Sequence, residues 1–515
     1  MLRQVVFIVL CCAFQPVLAL EAPAGLHFDV NSYEVLGDNP LSPETIAKIL
    51  KPYLGRHYGL DGLSSAVEEL ERQLKQQGDS FHRVVVEPQS LRDGVVRLRM
   101  LEFKLGTIIV SGQKNFSAQN IKQSLPSLVT GRAPNTRLLS QNLAIANEHP
   151  DKTMQMIFKE GEAQNTVDIE LQVADKSPHT RYAKLANNGT EQTGEFRLGL
   201  GYQYSNLFDK DHIASINFST SVEQPESVSQ WVLSYSLPYY SRGDLLSFYL
   251  SDSAIDTIST AEGLAGNFNV NGSGRVIGTR YLQGFKKIKA YRQKVIYGFD
   301  YKTFNNQILF QGNPTAGTNE LQSVPLSVEY ELSRAVAVSS FKLNVSLYQN
   351  LIDDQDAYDL ESRKPDSNWN LLRMKLKYDV PFGDYLLRLR MHGQYAAKPL
   401  ISAEQYGVGG SDSVRAYAER TVLGDRGYSM NIEFWSSAKN NKFNWLGFYD
   451  FAETTFIEDI GTGILKQRPS SFGAGLRWRW KRNVSVSADM AVAQQDIGEI
   501  ESGDAKLHLN MIYQY

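Results

Sequence analysis

Arg415 is the side chain whose type and setting promise more than packing. It lies in Gly407-Val-Gly-Gly-Ser-Asp-Ser-Val-Arg-Ala-Tyr417, a glycine-rich polar stretch within a connection running from about Lys398 to Asp425. Two strongly alternating segments flank that connection. Irregular connections beyond about 12–15 residues are uncommon in compact domains unless they carry function. A guanidinium presents its donors in a rigid fork that matches a carboxylate, so in such a loop it is suited to anchoring. The loop is expected to fold back into the lumen of a membrane β-barrel, with Arg415 fixing it there.

Other chemistries lack their residues. No G-x-x-x-x-G-K-[ST] stretch exists to cradle a nucleotide, no H-E-x-x-H to hold a metal, and no G-x-S-x-G to present a nucleophile. The eight histidines are scattered. The reading is therefore of a protein that is not an enzyme and takes no cofactor, metal or nucleotide. With 53 basic against 56 acidic residues and a net charge of −3, the chain offers no electrostatic case for nucleic acid.

Residues 1–19 combine Arg3, an apolar run from Val5 to Phe14 and Val17-Leu18-Ala19, the pattern of a secretory signal peptide. The only cysteines, Cys11 and Cys12, fall inside it, so the mature chain is expected to carry neither disulfides nor a cysteine metal site. Beyond it no window of 18 apolar residues occurs, which removes a helical membrane protein. Residues 20–25 read as a short linker, too short for a helix that would plug a barrel.

Two modules follow, over residues 26–103 and 104–175, each in the order strand, helix, helix, strand, strand. In the first, Leu26–Val30 alternates, Ser42 is placed as an N-cap before Pro43, and Leu63, Val67, Leu70 and Leu74 recur at helical spacing before Gly78. The stretches 81–87 and 95–102 close that module. In the second, 106–110 is a strand, Ser117 starts a helix, a second helix runs from Asn135 to Asn147, and 153–158 and 166–173 close it. The repeated order is an internal duplication.

From about residue 176 to 515 the helical period gives way to alternation of period two. Leu198, Leu200, Tyr202 and Tyr204 alternate with Arg197, Gly199, Gly201 and Gln203; Leu387, Leu389 and Met391 alternate with Arg388, Arg390 and His392. Segments of about ten residues with aromatic ends suit tilted membrane strands better than a soluble sandwich. Sixteen such segments can be placed, ending on Tyr515. Sixteen strands enclose a lumen wide enough for water unless something fills it, and the basic inward faces suit a hydrated interior. The fold class is thus α+β modules followed by an all-β, 16-stranded antiparallel transmembrane barrel with an inward-folded loop.

These residues resemble the outer-membrane transporters of two-partner secretion, the haemolysin and filamentous-haemagglutinin exporters, within the superfamily of polypeptide-transport barrels with POTRA modules. The resemblance rests on Phe81-His-Arg-Val-Val-Val-Glu-Pro-Gln-Ser-Leu-Arg-Asp-Gly94, His149-Pro-Asp-Lys152, Lys159-Glu-Gly161, Asn187-Asn-Gly189, Thr193-Gly194 and Asn206-Leu-Phe208. Its most specific part is the loop: Gly409, Gly410, Ser413, Val414, Arg415, Ala416, Tyr417, Gly424, Asp425 and Gly427 follow a GG…SVRGY…GDxG pattern, with Ala416 where glycine is usual. The resemblance implies that Arg415 pairs with an aspartate on an inward-facing strand. Gly447-Phe-Tyr-Asp-Phe-Ala452 is similar to the family's FxDxG strand, naming Asp450 as partner and Phe448 as its companion on the same face, with Glu433 as a second candidate. An ionised Asp450 facing lipid would be costly, so its face is expected to be lumenal.

The function so implied is capture of an unfolded, haemolysin- or adhesin-like exoprotein by the periplasmic POTRA modules and its export through the barrel. The expected partners are that exoprotein, the lipid bilayer and the outer-membrane insertion machinery. Against this stand an outer-membrane assembly and insertion factor, disfavoured by having two modules, and a passive pore or barrel enzyme, in which the modules would have no task.

Overall fold

A computed structural model of the chain describes residues 27–515, apart from 92, 191–192, 227, 254–258, 264–265, 271–273, 311–312, 337–338, 362, 438–441, 458–465 and 482. The signal peptide, the linker and the absence of a plug helix expected over residues 1–25 lie outside the described residues. Backbone contacts divide the chain into two compact units. One holds residues up to Ile108 with Leu128–Ser140 and Phe158–Ile169; the other holds Ile109–Ser127, Gln141–Ile157 and Glu170–Tyr515. The second module, over 104–175, thus contributes to both.

In the first unit the helix Pro43–Leu50 starts where Ser42 accepts the amide of Thr45, with proline at the first helical position. The helix Asp61–Gln77 stops at Gly78, whose φ of 96° is in the left-handed region. Leu63, Ala66, Leu70 and Leu74 form its buried face, packed with Val84, Val96, Leu98 and Met100 of the sheet. That sheet runs in the order Ser32–Leu36, Val95–Glu102, His82–Val86, the first pair parallel. Here the first strand departs from the expectation at Leu26–Val30. His27–Val30 pairs instead with Gly55–Tyr58 in a separate ribbon. Both runs alternate, and alternation cannot choose between them. The choice is made by Gly94, whose carbonyl accepts the amides of Asn31 and Ser32 and so aligns the second run with Val95.

A second three-stranded sheet has the same first, third, second order, with Lys104–Ser111, Thr166–Asp175 and Lys152–Glu160. Its helices are Ala118–Gln123, capped by Ser117, and Thr136–Ala146.

The remainder closes into a barrel. Its strands, numbered β1 to β16, are His179–Ala186, Arg197–Leu207, His212–Ser221, Ser229–Tyr239, Asp244–Ser253, Gly274–Ile288, Tyr291–Phe310, an eighth in two pieces (Asn313–Ser323 and Pro325–Val336), Ser339–Asn350, Asn370–Phe382, Tyr385–Ala396, Arg426–Trp435, Phe443–Thr455, a fourteenth in two pieces (Lys466–Gln467 and Ser470–Arg479), Val484–Ala493 and Ala505–Gln514. The first interruption is Val324, whose amide turns to the Asn350 side chain just before Pro325, and the second spans Arg468 and Pro469, where proline has no amide to give the ladder. Of the sixteen segments, alternation places the sixth over residues 268–284; the strand starts instead at Gly274, and Gly266–Val270 pairs with Ser259–Gly263 in a separate hairpin.

Closure joins β16 to β1 from Asn510 opposite Ala186 to Gln514 opposite Tyr182, and Tyr515 exchanges backbone hydrogen bonds of 2.8 Å with Arg181. The terminal aromatic therefore belongs to the closing seam. Along β13, Trp445 and Tyr449 are exposed outside while Leu446, Phe448, Asp450 and Ala452 are buried inside, the period-two division of a strand with a lipid face. No helix among the described residues is long and apolar enough to cross a membrane.

Candidate functional site

Residues 397–425 join β11 to β12 and turn into the barrel. Tyr406–Val408 and Val422–Gly424 pair as a short antiparallel hairpin. Its apolar side chains Val408, Val414, Ala416, Tyr417 and Val422 pack on Leu446, Phe448 and Ala452 of β13 and Ala491 and Ala493 of β15. The tip turns at Gly409 and Gly410, with φ of 119° and 89°. A Cβ on Gly409 would lie 2.0 Å from the Ala418 carbonyl oxygen, so only glycine fits there. Ser413 closes the turn: its hydroxyl accepts the Gly409 amide at 2.7 Å and donates to the Gly409 carbonyl at 2.8 Å. Gly409→Ala is accordingly expected to raise the cleavage rate of the loop by trypsin in detergent-solubilised protein, with barrel assembly unchanged.

At the tip Arg415 is 2% exposed and Asp450 fully buried. Nε donates to Oδ2 of Asp450 at 2.8 Å and Nη2 to Oδ1 at 2.7 Å, the bidentate geometry that gives an ion pair direction as well as strength. The Arg415 backbone amide adds a third bond to the same carboxylate at 3.2 Å. Nη1 lies 3.1 Å from Glu433 and 3.6 Å from Asp489. The guanidinium stacks on Phe448, 3.4 Å from the ring centroid. The two partners weighed as alternatives, Asp450 and Glu433, thus hold Arg415 together.

Residues without a local signal complete the shell. Asn431 and Ser471 donate to Asp450 at 2.8 and 3.2 Å, and His508 of β16 bonds the Arg415 carbonyl. Asp489 could have been placed by parity alone, since it shares a face of β15 with Ser485, Ser487 and Ala491. Ala416 is not among the residues with positive φ, so its methyl group costs the backbone nothing and is buried among the loop's apolar contacts. Tyr417 is fully buried and its hydroxyl donates to the Gln495 carbonyl at 2.8 Å.

The base of the loop is fastened separately. Asp425, fully buried, accepts the amides of Leu400 and Ile457 at 2.9 Å and pairs with Arg363 at 3.1 Å. Gly424 and Gly427 allow close approach: a Cβ would meet the Thr455 amide at 2.8 Å and the Tyr406 ring at 2.5 Å respectively. Glu404, unmarked in the sequence, is held by Lys302 at 2.6 Å and Arg373 at 3.1 Å.

A second buried cluster lies at the other end of the barrel, in the turns after β2 and β4. It unites two stretches of the resemblance, 149–152 and 206–208. Lys152, with a fully buried side chain, donates to both oxygens of Asp211 at 2.6 and 2.7 Å and to Asn120 at 2.7 Å. Asp211 also accepts the Tyr240 hydroxyl at 2.6 Å, and His149 bonds the Ser205 carbonyl at 2.8 Å. Burial works against the charge on Asp211, yet Lys152 and His149 beside it hold its carboxyl below the usual range.

Comparison with known proteins places this architecture. The family described as "Haemolysin secretion/activation protein ShlB/FhaC/HecB" matches residues 165–455, and "POTRA domain, ShlB-type" matches residues 28–102. The chain is 23% identical over 465 residues to the outer membrane transporter CdiB of Dickeya dadantii, covering 87% of this chain and 78% of that one. It is 19% identical over 420 residues to the heme/hemopexin transporter protein HuxB of Haemophilus influenzae, covering 80% and 72%. The structure of CdiB from Escherichia coli superposes with a TM-score of 0.74 at 16% identity, covering 97% of this chain and 93% of that one.

Proposed function

The chain belongs to the haemolysin secretion/activation family ShlB/FhaC/HecB, and from that premise we infer how its parts export a protein. It is an outer-membrane transporter of two-partner secretion, with POTRA structure on the periplasmic side. Its partner is a secreted exoprotein. We propose that this exoprotein is large, haemolysin- or adhesin-like, and unfolded in transit. The open edges of the two three-stranded sheets accept it as an added strand. It then passes through the barrel as the inward loop yields. The outward apolar faces take the lipid bilayer, and the cell's insertion machinery places the barrel there.

The observation that carries this reading is the loop itself. In a fixed pore such a segment would only narrow the channel, whereas an export path requires one seated by contacts that can be broken, as the Arg415 ion pair can. No step requires catalysis or a nucleotide; folding of the client on the far side supplies the directional drive. An assembly factor for other barrels would need no path through the lumen, and the ShlB-type family match favours export over it.

The test is a chain lacking residues 28–175. A passive pore would conduct as before and lose nothing. Under the export reading, release of the partner exoprotein into the medium stops while the barrel still assembles.

A further inference from the structure

The inner wall formed by β9, β10 and β11 carries more positive charge than the barrel needs. Lys342 of β9 lies directly opposite Lys377 of β10, and Lys377 directly opposite Arg390 of β11. Like charges facing across a ladder destabilise it. Neutral side chains would build the same wall at lower cost. Lys342 is drawn to Glu331 at 2.9 Å and Arg390 to Glu433 at 3.6 Å. Lys377, and Lys375 two residues along the same face, have no carboxylate within ion-pair distance among the described residues. Both lysines are exposed to the interior.

The row's position is as telling as its charge. It crosses β10 and β11 near mid-strand, inside the barrel wall and away from either rim. From Arg390 the same row continues to Asn431 and then to Asp450, the carboxylate that holds Arg415. The cations and the carboxylate that holds the loop thus belong to one row of the inner wall.

We propose that this wall guides anionic segments of the extended polypeptide in transit. The proposal rests on the export reading and adds the chemistry the client must carry: stretches bearing aspartate or glutamate. Their carboxylates occupy the surplus cations one row position at a time, and the last of them arrives beside Asp450, where it competes for Arg415.

The test uses full-length protein in detergent and fluorescent deca-glutamate and deca-lysine peptides. Deca-glutamate is expected to bind at low ionic strength and to be released at 0.5 M salt, beyond the reach of unscreened charge. Deca-lysine is expected not to bind. The double variant Lys375→Gln, Lys377→Gln is expected to bind deca-glutamate at least about fivefold more weakly. Equal binding of deca-lysine, or undiminished binding of deca-glutamate by the double variant, would overturn the proposal. So would equal competition by free glutamate at the same carboxylate concentration, which would mean a site for isolated anions only. None of these readouts involves a client, so failure of the export reading would show separately, as absence of exoprotein release by the unmodified protein.

Discussion

Asp450→Ala is expected to free the inward loop, at a cost to its docking of about 3–5 kcal/mol, the usual penalty for stripping the partner from a buried charge. The carboxylate receives two guanidinium bonds, the Arg415 amide, Asn431 and Ser471, all in a site shielded from water. Glu433 and Asp489 remain 3.1 and 3.6 Å from Nη1, but the fork of Nε and Nη2 and the Arg415 amide lose their acceptor. The other two carboxylates near Arg415 differ in kind. Glu433 already has Arg390 at 3.6 Å and Arg388 at 4.0 Å, and Asp489 is held by Arg477 at 2.6 Å. If Arg415 leaves, those two acids keep partners on the wall, and Asp450 alone is stranded. Glu433→Gln is therefore expected to cost no more than about 1–2 kcal/mol, within the range of a single charged hydrogen bond. Trypsin cleavage at Arg415 and Arg420 in solubilised protein reads the difference: rapid for Asp450→Ala, close to unmodified for Glu433→Gln. Equal cleavage of the two variants would remove the special place given to Asp450.

The second large effect is at the other end of the barrel. Lys152→Met keeps the length and apolar stem of the side chain but leaves Asp211 buried without its cation, again a loss of about 3–5 kcal/mol. Segments 109–127 and 141–157 are expected to exchange their amide hydrogens faster, while the barrel keeps its heat-resistant migration on gels. Exoprotein release should fall with the exchange protection. Unchanged exchange would show that Lys152 is dispensable to this joint. Acid gives an independent view. The Asp211 carboxyl is depressed in the folded chain, so its contribution is complete above the unfolded value of about 3.9 and fades as pH falls through the folded one. Burial likewise lowers the His149 imidazole, so its share is present above about 6.5 and declines below it. Both signs agree: the joint weakens on acidification and not on moderate alkalinisation.

Much of this architecture could be read from local pattern because the barrel imposes one. Each strand must show lipid an apolar face and the lumen a polar one, so Leu387, Leu389 and Met391 announce β11 without any knowledge of its neighbours. Helix ends were equally visible, since Ser42, Ser117 and Gly78 satisfy orphaned backbone groups through their own chemistry. The inward loop showed itself through length and glycine content, and Arg415 through its place in the glycine-rich stretch 407–417. Its partners were another matter. Asp450 came from a resemblance, and Asn431, Ser471, Asp489 and His508 reach the loop from four different strands. Sequence separation hides such contacts, because closure of the barrel, not neighbouring residues, brings them together. The same holds for Lys152 and Asp211, and for the choice of Ser32–Leu36 over His27–Val30 as the sheet strand, which turns on one carbonyl at Gly94.

On the proposed reading Arg415 holds the loop in the lumen, where the loop narrows the path. Single-channel conductance in planar lipid bilayers tests it directly. Purified Arg415→Ala protein is expected to show larger and longer openings than the unmodified chain, because the loop has lost the one cation that fastens its tip. Conductance and open time indistinguishable from the unmodified protein would contradict the claim.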